Sequence, residues 1–266
     1  MTPVEISRGT GPLVLGLPHT GTHVPDEIFA RLTPLGQTLA DTDWHIHRLY
    51  DGLIDNVTTV RANFHRYVID ANRDPSGASL YPGQNTTGLV PMTDFDGKPL
   101  WLTEPDAGEI EARRLSWHAP YHQALKAELE RVRAEHGVAI LYDCHSIRSH
   151  IPFLFDGTLP DFNIGTNNGE TCAADIEAAV ADICAAADGY SSIVNGRFKG
   201  GWTTRHYGRP ADNVHAIQME LAQSTHLASE TLPFDYDPVR AEPLRLHLEK
   251  ILTSFAGLAA SLGGHS

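Results

Sequence analysis

The sequence has 266 residues, 41% of them hydrophobic and 20% charged, and carries a formal net charge of −13. That length can bury a full core within a single domain, residues 1–266, and so acidic a surface argues against nucleic acid and anionic membrane as partners. No apolar run approaches the roughly 20 residues that span a bilayer, and the opening MTPVEISRGTG lacks the pattern of a signal peptide. Three cysteines (Cys144, Cys172, Cys184) without CxxC spacing fit a reducing cytoplasm rather than a disulfide framework.

Short apolar runs alternate with helical patterns along the chain. Residues 13–17 (LVLGL), 67–71 (YVIDA), 138–142 (VAILY), 192–194 and 215–221 (HAIQMEL) predict strands, each leading into turn residues. Runs this continuous suit strands buried on both faces of a largely parallel sheet. Residues 109–136 predict a long helix with Leu125, Leu129 and Val132 on one face, Gly137 as its C-cap and a break or kink at Pro120. Ile176, Val180, Ile183 and Ala187 form a second stripe, and Leu244, Leu248, Ile251, Phe255, Leu258 and Leu262 a third. The predicted class is α/β: a mainly parallel mixed sheet with helices on both faces. Residues 75–105 and 196–213 lack periodicity and are rich in glycine, and loops of that length are more often functional than idle.

Chemistry is expected where strands end, since open α/β sheets collect ligands there. His19 follows the first strand, His145 the third, and Glu220 lies late in the fifth, while Asp41-Thr42-Asp43-Trp44-His45-Ile46-His47 packs four candidate ligands into seven residues. A hydrolytic zinc site needs three protein ligands and an open position, with a carboxylate to take a proton from water. His19, His145 and either Asp41 or Asp43 supply such ligands, and Glu220, a lone carboxylate in an apolar strand, supplies the base. Ser146 lacks a G-x-S-x-G elbow. Cys144 reads as core, His118 and His122, interrupted by Pro120, as surface or capping residues, and Gly83 and Gly200-Gly201 make no phosphate loop. An acidic chain needs a local cluster of cations to bind an anion. Arg73, at the end of the second predicted strand, and Arg197, Lys199, Arg205 and Arg209 of the glycine-rich loop would serve as a floor and lid for carboxylates.

The motifs Pro18-His19-Thr20-Gly21, Asp41-Thr42-Asp43-Trp44-His45, Val68-Ile69-Asp70-Ala71-Asn72-Arg73 and Asp143-Cys144-His145-Ser146-Ile147-Arg148-Ser149 resemble the N-formylglutamate amidohydrolase family. So do Leu159-Pro160-Asp161-Phe162-Asn163, Asn195-Gly196-Arg197-Phe198-Lys199-Gly200-Gly201, Thr204-Arg205-His206-Tyr207-Gly208 and Gln218-Met219-Glu220-Leu221-Ala222-Gln223-Ser224. The resemblance, spread over about residues 18–226, implies the formylglutamate deformylase of histidine degradation, with an architecture similar to zinc carboxypeptidases and aspartoacylases. It implies His19 and His145 as metal ligands, Asn72 and Arg73 as a clamp on the substrate carboxylate, and Glu220 as general base. In the carboxypeptidase group the acidic ligand stands three residues after the first histidine; here that position is Thr22, and Asp43 is preferred over Asp41 as the substitute. The resulting expectation is zinc-dependent hydrolysis of N-formyl-L-glutamate, with Arg197 at the oxyanion and Arg205 and Arg209 helping Arg73 to bind carboxylates. The alternatives are a deacylase of another N-acyl acidic amino acid, such as formyl- or acetyl-aspartate, and a non-catalytic binder of acidic amino acids.

Overall fold

The computed structural model describes residues 1–79 and 83–263. Strands β1 (Val4–Ser7), β2 (Leu13–Leu17), β3 (Thr58–Ala62), β4 (Ala139–Ile147), β5 (Phe162–Gly165), β6 (Ser192–Val194) and β7 (Val214–Ala222) form one mixed sheet in the order β1-β3-β2-β4-β7-β5-β6. The central strands β3, β2, β4 and β7 run parallel, β1 and β5 lie antiparallel to β3 and β7, and β6 pairs with β5 in parallel. The helices are α1 (Asp26–Phe29), α2 (Ile46–Tyr50), α3 (Ala107–Arg113), α4 (Ala119–His136), α5 (Ala174–Ala185), α6 (Trp202–Tyr207) and α7 (Pro238–Gly263). Among the described residues no helix is long and apolar enough to cross a membrane.

Side chains alternate across the sheet. Ile140, Tyr142 and Cys144 of β4 and Ile217, Met219 and Leu221 of β7 join a core with α2, α5 and α7. Ala139, Leu141 and Ala216 point the other way, into a core with Tyr121, Leu125, Leu129 and Val132 of α4. Helices thus cover both faces, as the apolar runs suggest. Toward the C-terminal ends of the strands the α4 face turns polar: Asp143 and His145 continue the parity of Leu141, and Gln218 and Glu220 that of Ala216. Two strands that begin as core therefore end as the floor of a site.

Several expectations are corrected. Residues 67–71 are buried but form turn and coil, because their backbone bonds locally and to the following loop (Val68 N–H to His65, Asp70 N–H to Leu89) instead of to a strand. The neighbouring strand is β3, whose Thr58, Val60 and Ala62 face inward at every second position. At Pro120 the helix neither ends nor restarts: a π turn, Arg114–His118, joins α3 to α4, and the Ala119 N–H reaches the Arg114 carbonyl five residues back, beside the proline that lacks a donor. His118 and His122 are buried, not surface residues. Residues 196–213 contain α6 and a 3-10 turn at Pro210–Asp212. Of residues 75–105, positions 80–82 lie outside the described residues; the rest form neither helix nor strand.

Candidate active site

His19 stands two residues past the end of β2, His145 near the end of β4, and Asp43 in the turn before α2, its N–H donating to the His19 carbonyl at 3.0 Å. One ligand atom from each of the three lies within 4.8 Å of the others, and all three residues are buried. His145 Nδ1 is 3.2 Å and His19 Nδ1 3.8 Å from the same Asp43 Oδ2. Among the described residues, His19 Nδ1 is buried without a hydrogen-bond partner. The other ring nitrogens face buried carboxylates: His19 Nε2 lies 2.7 Å from Asp70 Oδ1 and His145 Nε2 3.2 Å from Asp143 Oδ1. Carboxylates behind histidines fix the ring and free the opposite nitrogen, which is how metal-binding histidines are held. Asp43 Oδ1 accepts from Arg66 Nη2 at 2.7 Å, leaving Oδ2 toward the histidines.

The electrostatics suit a cation at that meeting point. Burial, reinforced by Arg66, holds His19 below the ordinary histidine range. Burial would lower His145 too, but Asp143 and then Asp43 hold it well above that range. Burial would raise the Asp43 carboxyl, yet Arg66 and the two histidines keep it below its usual value. A buried N,N,O donor set backed by further carboxylates matches what a divalent metal of hydrolytic type requires.

Glu220 of β7 is the register partner of His145 on β4, so the two side chains emerge next to each other on one face. Its Oε2 accepts from Gln218 Nε2 at 3.1 Å, and burial raises its carboxyl well above the usual range. These groups open into a pocket of roughly 630 Å³, mouth included, into which Arg66, Arg73 and Arg197 bring positive charge and Phe95, Leu154 and Phe198 an apolar wall.

Asn72 is held from two sides: its N–H donates to Asp70 Oδ1 at 2.8 Å and its Oδ1 accepts from the Thr203 N–H at 2.9 Å, with its Nδ2 3.2 Å from His145 Nε2. The Arg73 guanidinium ties the core to the following loop, donating to the Thr87 carbonyl at 2.8 Å and the Thr87 hydroxyl at 2.9 Å. Arg197 donates to the carbonyls of Leu154 and Asn85 at the pocket rim. Arg205 and Arg209 do not line the pocket. Arg205 donates to the Gly200 carbonyl beside a neighbouring open groove, and Arg209 pairs with Asp212 at 3.1 Å. Asp41 is turned away from the histidines, accepting from the Tyr67 hydroxyl and the Phe95 N–H.

Arg66, Asp70 and Asp143 were not singled out by sequence reasoning. The signal for the two aspartates is the one that marks Glu220, a lone carboxylate in an apolar run. Arg66 opens such a run and is 94% buried when folded, leaving its side chain only 6% exposed.

Residues 11–227 match the family model described as N-formylglutamate amidohydrolase. The chain is 46% identical to the N-formylglutamate deformylase of Pseudomonas aeruginosa, covering 94% of this chain and 95% of the relative. It is equally 46% identical to that of Pseudomonas putida, with 97% of each covered. A crystal structure of N-formylglutamate amidohydrolase from Ralstonia eutropha superposes with a TM-score of 0.78 at 23% identity, over 96% of this chain and 98% of the other. A protein of Agrobacterium tumefaciens does so at 0.70 and 17% identity, over 96% of each chain. These two likenesses concern the fold.

Proposed function

The chain belongs to the N-formylglutamate amidohydrolase family, and from that premise we propose that it hydrolyses N-formyl-L-glutamate to formate and L-glutamate, closing a histidine degradation route, with a divalent metal, zinc by donor set, held by His19, Asp43 and His145. The observation that carries the reading is the meeting of those three ligand atoms beside Glu220 in a pocket that also holds arginines.

When bound, such a metal makes water acidic and polarises a carbonyl oxygen. The residues of the chain do the rest. Glu220 takes a proton from the attacking water as oxygen adds to the formyl carbon. The protonated Glu220 then passes that proton to the leaving nitrogen as the C–N bond breaks, giving formate and the free amine. Arg197, at the rim, donates toward the oxyanion. Asn72 and Arg73 clamp one substrate carboxylate, and Arg66 adds positive charge beneath it. Arg205 and Arg209 reach the second carboxylate only if the loop carrying them closes.

The test is formate release from N-formyl-L-glutamate, N-formyl-L-aspartate, N-formyl-L-leucine and N-acetyl-L-glutamate, with metal analysis of the purified protein. N-formyl-L-glutamate should be turned over with the highest kcat/KM, and dipicolinate should abolish turnover that added zinc restores. Full turnover by metal-free protein would overturn the metal assignment, and absence of formate release from every formyl substrate the activity itself.

A further inference from the structure

Two buried histidines outside the ligand set bracket the proposed clamp. His118, on the π turn, donates from Nε2 to the Arg73 carbonyl at 3.1 Å, and His122, one turn on in α4, donates from Nε2 to the Ala71 carbonyl at 2.8 Å. These are the carbonyls immediately before and after Asn72, and the carbonyl between them, that of Asn72, accepts from Arg73 Nη1 at 3.0 Å. Residues 71–73 form neither helix nor strand, so no backbone ladder holds them. The imidazoles take its place.

The donors are themselves fixed. The two rings lie 4.3 Å apart, and Trp202 of α6 packs against them at 5.8 Å from His118 and 4.7 Å from His122. The Tyr207 hydroxyl lies 3.1 Å from His122 Nδ1. Burial holds both histidines below their ordinary range, so each is neutral, with one nitrogen free to donate. The π turn is what allows the arrangement: a helix carried through Pro120 keeps His118 and His122 on one face, toward the 71–73 segment.

We propose that His118 and His122 are positioning residues of the hydrolysis: by holding the peptide carbonyls on either side of Asn72 they fix Asn72 and Arg73 in the attitude that grips the substrate carboxylate. The proposal rests on the reading of Asn72 and Arg73 as that clamp. A histidine pair that merely stabilised α4 would affect folding and leave substrate affinity alone.

The experiment compares His118→Leu and His122→Leu, which remove the donor, with His118→Gln and His122→Gln, which keep one, in formate release from N-formyl-L-glutamate. The Leu variants should raise KM by about tenfold, as small misplacement of a binding group does, with kcat within about twofold and metal content unchanged. The Gln variants should recover most of that loss. In an Arg73→Ala background, His118→Leu should cost less than it does alone, because one of the two groups it positions is gone. If a Leu variant does not fold, the Gln variant at that position and the pair at the other carry the test. Parental KM in folded Leu variants, Gln variants as impaired as Leu ones, or losses that multiply with Arg73→Ala would each overturn the proposal. Parental KM in Arg73→Ala itself would overturn the clamp reading and this proposal with it, whereas raised KM there alone overturns only the role of the histidines.

Discussion

Glu220 occupies a position where a carboxylate costs free energy unless it is used. It is buried, receives one hydrogen bond from Gln218, and stands beside His145 in the sheet. Glu220→Gln preserves shape, and its amide oxygen can still accept from Gln218, so fold and metal content should persist. Turnover should fall by roughly 10²–10⁴, the usual worth of a positioned proton transfer. Near-full kcat in a metal-loaded Glu220→Gln protein would move the base to another carboxylate. Gly201 gives a second residue-level expectation. A Cβ there would lie 2.2 Å from Asn72 Nδ2 and 2.5 Å from its Oδ1, and Asn72 is too well tied by Thr203 and Asp70 to give way. Gly201→Ala should therefore cut kcat/KM by at least about tenfold with a far smaller change in Tm; parental kinetics would mean that the Asn72 side chain is free to move.

At the scale of elements, the candidate residues that the sequence marks and the fold brings together are those placed by strand ends. His19, His145 and Glu220 lie on or just after β2, β4 and β7, whose apolar runs announce both the strand and its end. Asp43 needed a choice between two aspartates; its carboxylate is the one that meets His19 and His145, while the Asp41 side chain accepts from Tyr67 and Phe95. Residues 67–71 misled because an apolar run reports burial, and burial was achieved here by coil packed under α4. The sequence SIV of β6 shows the reverse: its turn context identified a strand whose residues are all exposed, at the sheet edge. His118 and His122 were illegible because the effect of Pro120 depends on whether the helix can widen by one residue, and that is decided by what α4 packs against. Arg66, Asp70 and Asp143 contact Asp43, His19 and His145, and only the fold brings those side chains together.

For the whole molecule, burial of ionisable groups makes stability depend on pH. His226 joins the turn after β7 to the segment carrying Asp43, donating from Nε2 to the Trp44 carbonyl at 3.1 Å, and burial pushes its imidazole down to about 4. An unfolded chain takes up this proton near pH 6.5 and the folded one does not until about pH 4, so the contribution is complete above 6.5 and is lost as pH falls toward 4, by up to roughly 3 kcal/mol. Asp41, raised by burial to about 7, works in the opposite sense between its ordinary value and neutrality. Urea midpoints at pH 7.5 and 5.0 for the parent and for His226→Gln isolate the histidine: the variant should lose less stability on acidification, and an equal loss in both would show that His226 is not the group responsible. The long pairing of β4 with β7 has a further consequence. All nine residues of each strand are paired and buried, Ala139–Ile147 against Val214–Ala222, whereas the Thr87 and Asn85 side of the pocket is held by scattered bonds: from Arg73 and Arg197, from Asn85 to the Phe153 carbonyl and from the Asp70 N–H to Leu89. Amide protons of β4 and β7 should exchange with deuterium only when the whole chain opens, and those of residues 83–89 through fluctuations confined to that segment. One wall of the pocket can then open and close on its own while the β4–β7 floor stays intact, so local opening and unfolding are separate events with separate rates.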